Sequence, residues 1–355
     1  MVPAVLPFQP MSAPPSALPL PSQALFDPEE PAGSALPVCD HYAGTEALMR
    51  KSLLLQAELG PVFDITLDGE DGAPVGGEIE HAQLITELVM SAENRHGRVG
   101  ARVLPVVHPK FEEMLDTVIG RAGQRLAYLM VPKPRGLADV QRAARALDEA
   151  LARAGVHRVL PMHALIETHG ALQEVAAIAA HPRLESLSFG LMDFVSAHRG
   201  AIPYPAMGAK GQFTHPLVLR AKLEIAAACH AHAKTPSHCV VTEFKDQKAL
   251  LAAAERACRE LGYTRMWSIH PAQIRTIVDA FSPTAAEVDQ AIEIISAAQA
   301  AAWAPIRHDD RLHDRASYRY FWQVIERAHR TDPVHGLPAE LRLAWFPPAP
   351  TAAAE

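Results

Sequence analysis

Residues 159–193 read VLPMHALIETHGALQEVAAIAAHPRLESLSFGLMD. The runs 159–166 and 184–189 are short and rich in apolar and β-prone residues, and 171–180 between them carries apolar residues at helical spacing. A carboxylate follows each run, Glu167 after the first and Asp193 after the second, 26 residues apart. The unit is strand, helix, strand, with an acid just past each strand end.

The same alternation extends in both directions. Further strands are expected at 35–39, 62–67, 100–104, 127–131, 238–242 and 265–269, which makes eight in all. Helical spacing recurs at 46–59, 137–154, 217–232 and 247–261. Eight strands alternating with helices favour an α/β fold of the (β/α)8 TIM barrel type over an open doubly wound sheet, and barrels commonly use about 250 residues. No GxGxxG follows the first strand, which lowers the case for a dinucleotide fold. Two more helical stretches, 285–303 and 316–328, lie beyond the last barrel strand and read as a cap or an oligomer arm. Nine prolines between Pro3 and Pro31 predict an extended or disordered arm over 1–34. The expected organisation is therefore the arm 1–34, a catalytic barrel 35–282, a C-terminal helical extension or lid 283–330, and a tail 331–355.

Of the 355 residues 49% are hydrophobic and 21% charged, the balance of a chain with ample material for a core. The 33 Lys+Arg against 40 Asp+Glu give a net charge of −7. Such a chain has no general attraction to nucleic acid or anionic lipid, so an anionic substrate must be met by a few local Arg or Lys side chains. Cys39, Cys229, Cys239 and Cys258 form no CxxC pair and read as buried thiols. No basic residue precedes Arg50 and no run of about 18 apolar residues occurs. A cytoplasmic location is expected. Walker A, HExxH and GxSxG motifs are absent from the sequence.

A barrel places functional side chains just after its strands. Here Asp68-Gly69-Glu70-Asp71 follows the second strand, Arg102 lies in the third, and Pro132-Lys133 ends the fourth. Glu167 ends the fifth, Gly190 and Asp193 follow the sixth, and His270-Pro271 ends the eighth. Each has a plainer role. Glu167 with Thr168, and Asp193, stand where helix N-terminal anions contribute about 0.5 to 1 kcal/mol. His270 before Pro271 fits a cap with proline at the first helical position. Asp68, Glu70 and Asp71 fit a solvated turn. Arg102 is different, because a guanidinium inside a buried strand needs a partner, and Lys133 makes a similar demand.

Carboxylates gathered in one mouth repel each other unless protonated or bridged by a cation. Oxygen ligands without cysteine favour Mg²⁺ or Mn²⁺ over zinc, with coordination positions left for water or substrate. His308, Asp309, Asp310, His313 and Asp314 fit a second metal site or, more plainly, a solvated polar linker. His230 and His232 cannot meet across a helix and read as surface residues.

Leu67-Asp68-Gly69-Glu70-Asp71-Gly72, Ala101-Arg102-Val103, Val131-Pro132-Lys133, Leu165-Ile166-Glu167-Thr168, Phe189-Gly190-Leu191-Met192-Asp193 and Ile269-His270-Pro271-Ala272-Gln273-Ile274 occur in this order. In that order they resemble the HpcH/HpaI aldolase/citrate lyase family, nearest its citrate lyase beta-subunit-like and malyl-CoA lyase branch, over about residues 35 to 330. The resemblance implies a TIM barrel of the phosphoenolpyruvate/pyruvate superfamily, a Mg²⁺-dependent carbon–carbon lyase, and a homo-oligomer, trimer or hexamer. It implies Glu167 and Asp193 as metal ligands, and Arg102 with Gly190 against the substrate. Asp68, Glu70 and Asp71 would orient the site, Lys133 would support the acidic cluster, and Asp314 would serve as a lid carboxylate. Against that pattern stand Leu104 in place of an asparagine, Gly69 at the second position of the acidic motif, and Glu78 in place of a lysine.

The expected reaction is cleavage of a hydroxy acid or its CoA thioester to an oxo-acid such as glyoxylate, pyruvate or oxaloacetate. An acyl-CoA thioester hydrolase on the same barrel is the enzymatic alternative. A non-catalytic binding or assembly subunit is the other, and the full set of charged strand ends argues against it.

Overall fold

The structure, a computed structural model, describes residues 19–27, 29–30, 35–72 and 75–347. The chain divides into two compact units, one of Pro31–Ser282 and one of Met1–Glu30 with Pro283–Glu355.

The first unit is a closed barrel of eight parallel strands: β1 Cys39–Ala43, β2 Phe63–Asp68, β3 Val99–Arg102, β4 Leu129–Val131, β5 Met162–Ile166, β6 Leu184–Phe189, β7 Thr235–His238 and β8 Arg265–Ser268. Closure comes from β8 pairing with β1, Met266 opposite Cys39 and Ser268 opposite His41. The expected barrel is present, but two strands sit elsewhere than their apolar runs suggested. β1 lies on Cys-Asp-His-Tyr-Ala rather than 35–39, and β7 on Thr-Pro-Ser-His rather than 238–242. The reason is a polar barrel floor. Arg265 is fully buried there, pairing with Asp64 at 2.6 Å and Asp40 at 3.1 Å, so the inward positions of β1 must be polar. Tyr128 lies across this floor with its hydroxyl 2.7 Å from Thr66 Oγ1. Gly100 makes room for it, since a Cβ there would stand 2.3 Å from the ring. Above the floor Met130, Leu165 and Trp267 form an apolar inner layer with Tyr42 packed against them. The outward faces of the strands pack on the helices in the main hydrophobic core.

In the second unit the helices Ala285–Ala300 and Arg315–Thr331 pack around Ile294, Ile295, Tyr318, Trp322 and Ile325. One stretch expected to be extended or disordered contributes to it, and so does the tail. Of the arm, residues 1–18, 28 and 31–34 lie outside the described residues, but Pro21–Leu25 is one helical turn whose Leu25 is buried in this core. Proline at the first helical position is tolerated because its missing N–H has no helical partner anyway. The tail holds the helix Ala339–Trp345, whose Trp345 ring meets Trp322 edge to face, and its residues 348–355 lie outside the described set. The polar segment 308–314, expected as a solvated linker, is largely exposed but regular. Ile306–His308 and Arg311–His313 form a hairpin, β9 and β10, turned by Asp309 and Asp310 with φ of 47° and 58°. Positive φ at both central residues is what a two-residue hairpin turn requires. Among the described residues no helix is long and apolar enough to cross a membrane.

Candidate active site

Asp68 and Arg102 are cross-strand partners at the last rung of β2 and β3, so both side chains emerge at the barrel mouth. Arg102 Nε donates to Asp68 Oδ1 at 2.6 Å, and both side chains are buried. The turn that follows β2 folds back over this pair. The Glu70 N–H donates to Asp68 Oδ1 at 3.0 Å and the Gly72 N–H to Oδ2. Gly72 is required by close approach, because a Cβ would stand 2.6 Å from Gly44 Cα. At Gly69 the space of a side chain is taken by Met114, whose Cε would lie 2.1 Å from a Cβ. Met114 Sδ also accepts from the Leu104 N–H at 3.3 Å, so two departures from the family pattern meet on one methionine. The third, Glu78, is ion-paired with Lys110 at 2.8 Å.

Arg102 continues to Glu70 at 2.9 Å and Asp71 at 3.2 Å. Lys133 answers from the loop just past β4: its ammonium stands 2.8 Å from Glu70, 3.6 Å from Asp71 and 3.5 Å from Asp193. Its backbone takes the left-handed conformation, φ 48°, and its N–H donates to Glu167 Oε1 at 2.8 Å. Glu167 is buried and is not the helix cap. Thr168 takes that role, accepting from the Ala171 N–H at 3.1 Å, which leaves the carboxylate to the mouth. Gly190 lies directly against it, since a Cβ there would sit 2.1 Å from Glu167 Oε2. Asp193 is in the first turn of the helix Leu191–Ser196, with its side chain 42% exposed.

The electrostatics follow from burial and from this crowding. Burial pushes Glu167 up to about 8, and the charges of Asp193 and Glu70 push the same way. Burial also raises Glu70, partly opposed by Arg102 and Lys133. For Asp68 burial works upward too, but Arg102 outweighs it and holds the carboxyl below its usual range. Burial opposes the charge on Lys133, yet its hydrogen bond to Glu70 prevails and keeps the ammonium protonated.

Among the described residues no group of three or more His, Cys, Asp or Glu is arranged to hold a metal ion. By donor chemistry, Glu167 and Asp193 are the residues that could hold a hard cation here. Both are oxygen donors on successive strand ends, and the raised affinity of Glu167 for a proton is what a divalent cation would displace. With two protein ligands, the remaining positions fall to water or substrate oxygens.

The structure thus brings together Asp68, Glu70, Asp71, Arg102, Lys133, Glu167, Gly190 and Asp193. Asp314 stands in the second unit, where it caps the helix Arg315–Thr331, its Oδ1 accepting from Ala316 at 3.0 Å and Ser317 at 3.3 Å. His270 is the cap expected of it, its Nδ1 accepting from the Ala272 N–H at 3.2 Å with Pro271 at the first helical position. Sequence reasoning missed Tyr42. Its hydroxyl donates to Asp68 Oδ2 and accepts from Arg102 Nη2 at 3.2 Å. The signal was its inward position on β1, hidden because that strand was expected at 35–39.

Comparison with known proteins agrees with this architecture. The family model described as HpcH/HpaI aldolase/citrate lyase matches residues 62–271. A protein of Cereibacter sphaeroides named L-malyl-CoA/beta-methylmalyl-CoA lyase is 28% identical over 281 residues, 74% of this chain and 86% of that one. A (3S)-malyl-CoA thioesterase of the same species is 28% identical over 235 residues, covering 66% and 74%. Among solved structures, a citrate lyase of Burkholderia xenovorans LB400 superposes with a TM-score of 0.79 at 50% identity, covering 93% of this chain and 99% of that one. CitE of Mycobacterium tuberculosis, in complex with magnesium, acetoacetate and coenzyme A, superposes with a TM-score of 0.63 at 18% identity, covering 82% and 98%. That second likeness bears on the fold alone. The chain belongs to the HpcH/HpaI aldolase/citrate lyase family.

Proposed function

We propose that this chain is a Mg²⁺-dependent carbon–carbon lyase that cleaves a hydroxy acid or its CoA thioester by reversible aldol or Claisen chemistry. The observation that carries this reading is Arg102, a buried guanidinium held by Asp68, Glu70 and Asp71 at the mouth that Glu167 and Asp193 share. Membership of the family, and relatives named as malyl-CoA lyase and citrate lyase, support it.

Glu167 and Asp193 would hold Mg²⁺, or Mn²⁺ of the same hard-cation class. When bound, the ion supplies Lewis-acid polarisation of an oxo-acid oxygen. Arg102 would bind the carbonyl or carboxylate oxygen of the substrate, where negative charge grows as the carbon–carbon bond breaks. Asp68, Glu70 and Asp71 would fix Arg102 and order water beside it. Lys133 would brace Glu70 through its ammonium and Glu167 through its backbone N–H. Gly190, lacking a side chain, would let the Glu167 carboxylate lie against its backbone at the substrate's edge of the mouth. Asp314 is proposed as the carboxylate that moves a proton at a neighbouring subunit's mouth in a trimer or hexamer.

Thioester hydrolysis is the second reading, favoured by the relative named (3S)-malyl-CoA thioesterase. One assay separates the two. A panel of hydroxyacyl-CoA thioesters and free hydroxy acids is incubated with Mg²⁺ and the products are resolved by chromatography. A lyase releases an oxo-acid and an acyl fragment in equal amounts. A hydrolase releases CoA and the intact hydroxy acid, and turnover of neither kind across the panel rejects both readings.

A further inference from the structure

Arg102 is the group on which the proposed chemistry turns, and its orientation is not fixed by its own strand. A guanidinium carries five N–H donors in one plane, and which edge faces a ligand depends on what holds the others. Asp68 takes Nε at 2.6 Å through Oδ1. Nη1 is ion-paired with Glu70 Oε2 at 2.9 Å, and Nη2 donates to Tyr42 Oη at 3.2 Å and to Asp71 Oδ2 at 3.2 Å. Tyr42 in turn donates its hydroxyl proton to the second oxygen of Asp68. The three side chains therefore close a ring: Arg102 to Asp68, Tyr42 to Asp68, and Arg102 to Tyr42. Asp71 is more than half exposed, so its grip on Nη2 is the weak one and the grip of Tyr42 is the sheltered one.

The ring of Tyr42 adds a second restraint. Arg102 Cζ stands 5.0 Å from its centroid, within cation–π range. The Tyr42 ring is itself stacked on Trp267, centroids 6.0 Å apart and planes 22° apart, so it rests on the apolar inner layer of the barrel. Tyr42 lies on β1 opposite Thr66 of β2, one inward position below Asp68, which is why its hydroxyl rises to the mouth.

We infer that Tyr42 is a positioning residue for the proposed lyase reaction: bridging Arg102 Nη2 and Asp68 Oδ2, with its ring under the guanidinium, it sets the plane in which Arg102 meets a substrate oxygen. The inference rests on the lyase reading. It concerns a side chain that touches no reacting atom and acts through Arg102.

The test is Tyr42→Phe, which removes the hydroxyl and keeps the ring on Trp267. Its melting temperature confirms that the comparison is made on folded protein. With Arg102 misaligned in the transition state, kcat falls about 10- to 100-fold while KM stays within about 2-fold. Wild-type kcat, or a raised KM with kcat unchanged, overturns the inference. A second arm needs no turnover. In ¹⁵N spectra of the full-length wild-type protein the Arg102 side-chain signals, identified by their absence in Arg102→Lys, are expected to show hindered rotation of the guanidinium. In Tyr42→Phe the Nη2 signal, which loses its hydroxyl partner, is expected to shift, and unchanged Nη signals overturn the inference. Should the wild type cleave no hydroxy acid, the lyase reading fails, and the spectra alone then decide whether Tyr42 orients Arg102.

Discussion

Asp68 and Arg102 close the last rung between β2 and β3 and are joined at 2.6 Å with both side chains out of water. A buried charge pair is held together by its partners, and each partner left alone is costly. The acidic turn after β2 therefore serves stability and chemistry at once.

Replacing Arg102 tests both. Arg102→Met leaves Asp68 buried with its principal cation gone, and it should lower stability by about 3 to 5 kcal/mol in denaturant titration. Arg102→Lys keeps the charge without the planar fork, and its turnover should fall by about 10² or more. Turnover of Arg102→Lys near the wild-type rate would contradict the assigned role.

Gly190→Ala isolates the space beside Glu167. The φ of Gly190 is −87°, which alanine adopts freely, so the only demand is on the neighbour. A Cβ would stand 2.1 Å from Glu167 Oε2 and 2.6 Å from its Cβ, so the whole side chain must move. The variant should keep the far-UV spectrum of the wild type and lose Mg²⁺ affinity by calorimetry. Unaltered affinity would remove Glu167 from the metal site.

The raised Glu167 carboxyl makes stability depend on pH. Its folded value of about 8 lies above its ordinary 4.5, so between those values the native state binds more protons than the unfolded chain. Stability from this group is complete below about 4.5 and is lost as pH rises through about 8. Glu167→Gln removes the titration, so the metal-free variant should gain stability relative to the wild type as pH rises from 5 to 9, roughly the window of the shift. A difference between the two proteins that stays constant over that range would refute the shift.

Asp314 has two assigned duties that one pair of substitutions separates. Asparagine caps a helix about as well as aspartate, whereas alanine costs about 1 kcal/mol at such a position. Asp314→Asn should therefore keep the wild-type melting temperature, and Asp314→Ala should lower it. If the carboxylate also moves a proton, turnover drops in both variants. Turnover retained in Asp314→Asn would leave the residue as a cap alone.

The barrel was legible because its outward strand faces and its helices follow simple periodicities, as in 159–193. Where the interior is polar the same signal misled. Asp40 and Tyr42 face inward on β1 because Arg265 and Arg102 need partners there, so the strand looked like a loop and an apolar run upstream looked like the strand. On β7 the inward Thr235 and Ser237 and the proline between them had the same effect. The charged mouth residues stood out individually, each just past a strand. Their pairing did not, since the left-handed backbone that lets Lys133 reach Glu70 and Glu167 together leaves no periodic trace. Pro21–Leu25 and Ala339–Trp345 fold because Leu25 and Trp345 find a shared core, a tertiary effect that local composition hides.

Glu167 and Asp193 are proposed to share one Mg²⁺ beside Arg102. A crystal structure of the protein grown with Mg²⁺ and an oxo-acid such as oxaloacetate tests it most directly. The expected result is a single ion bonded to one oxygen from each carboxylate, with an oxo-acid oxygen in its shell and another within hydrogen-bonding distance of Arg102. An ion bound elsewhere, or carboxylates too far apart to share it while the oxo-acid sits away from Arg102, would rule this site out.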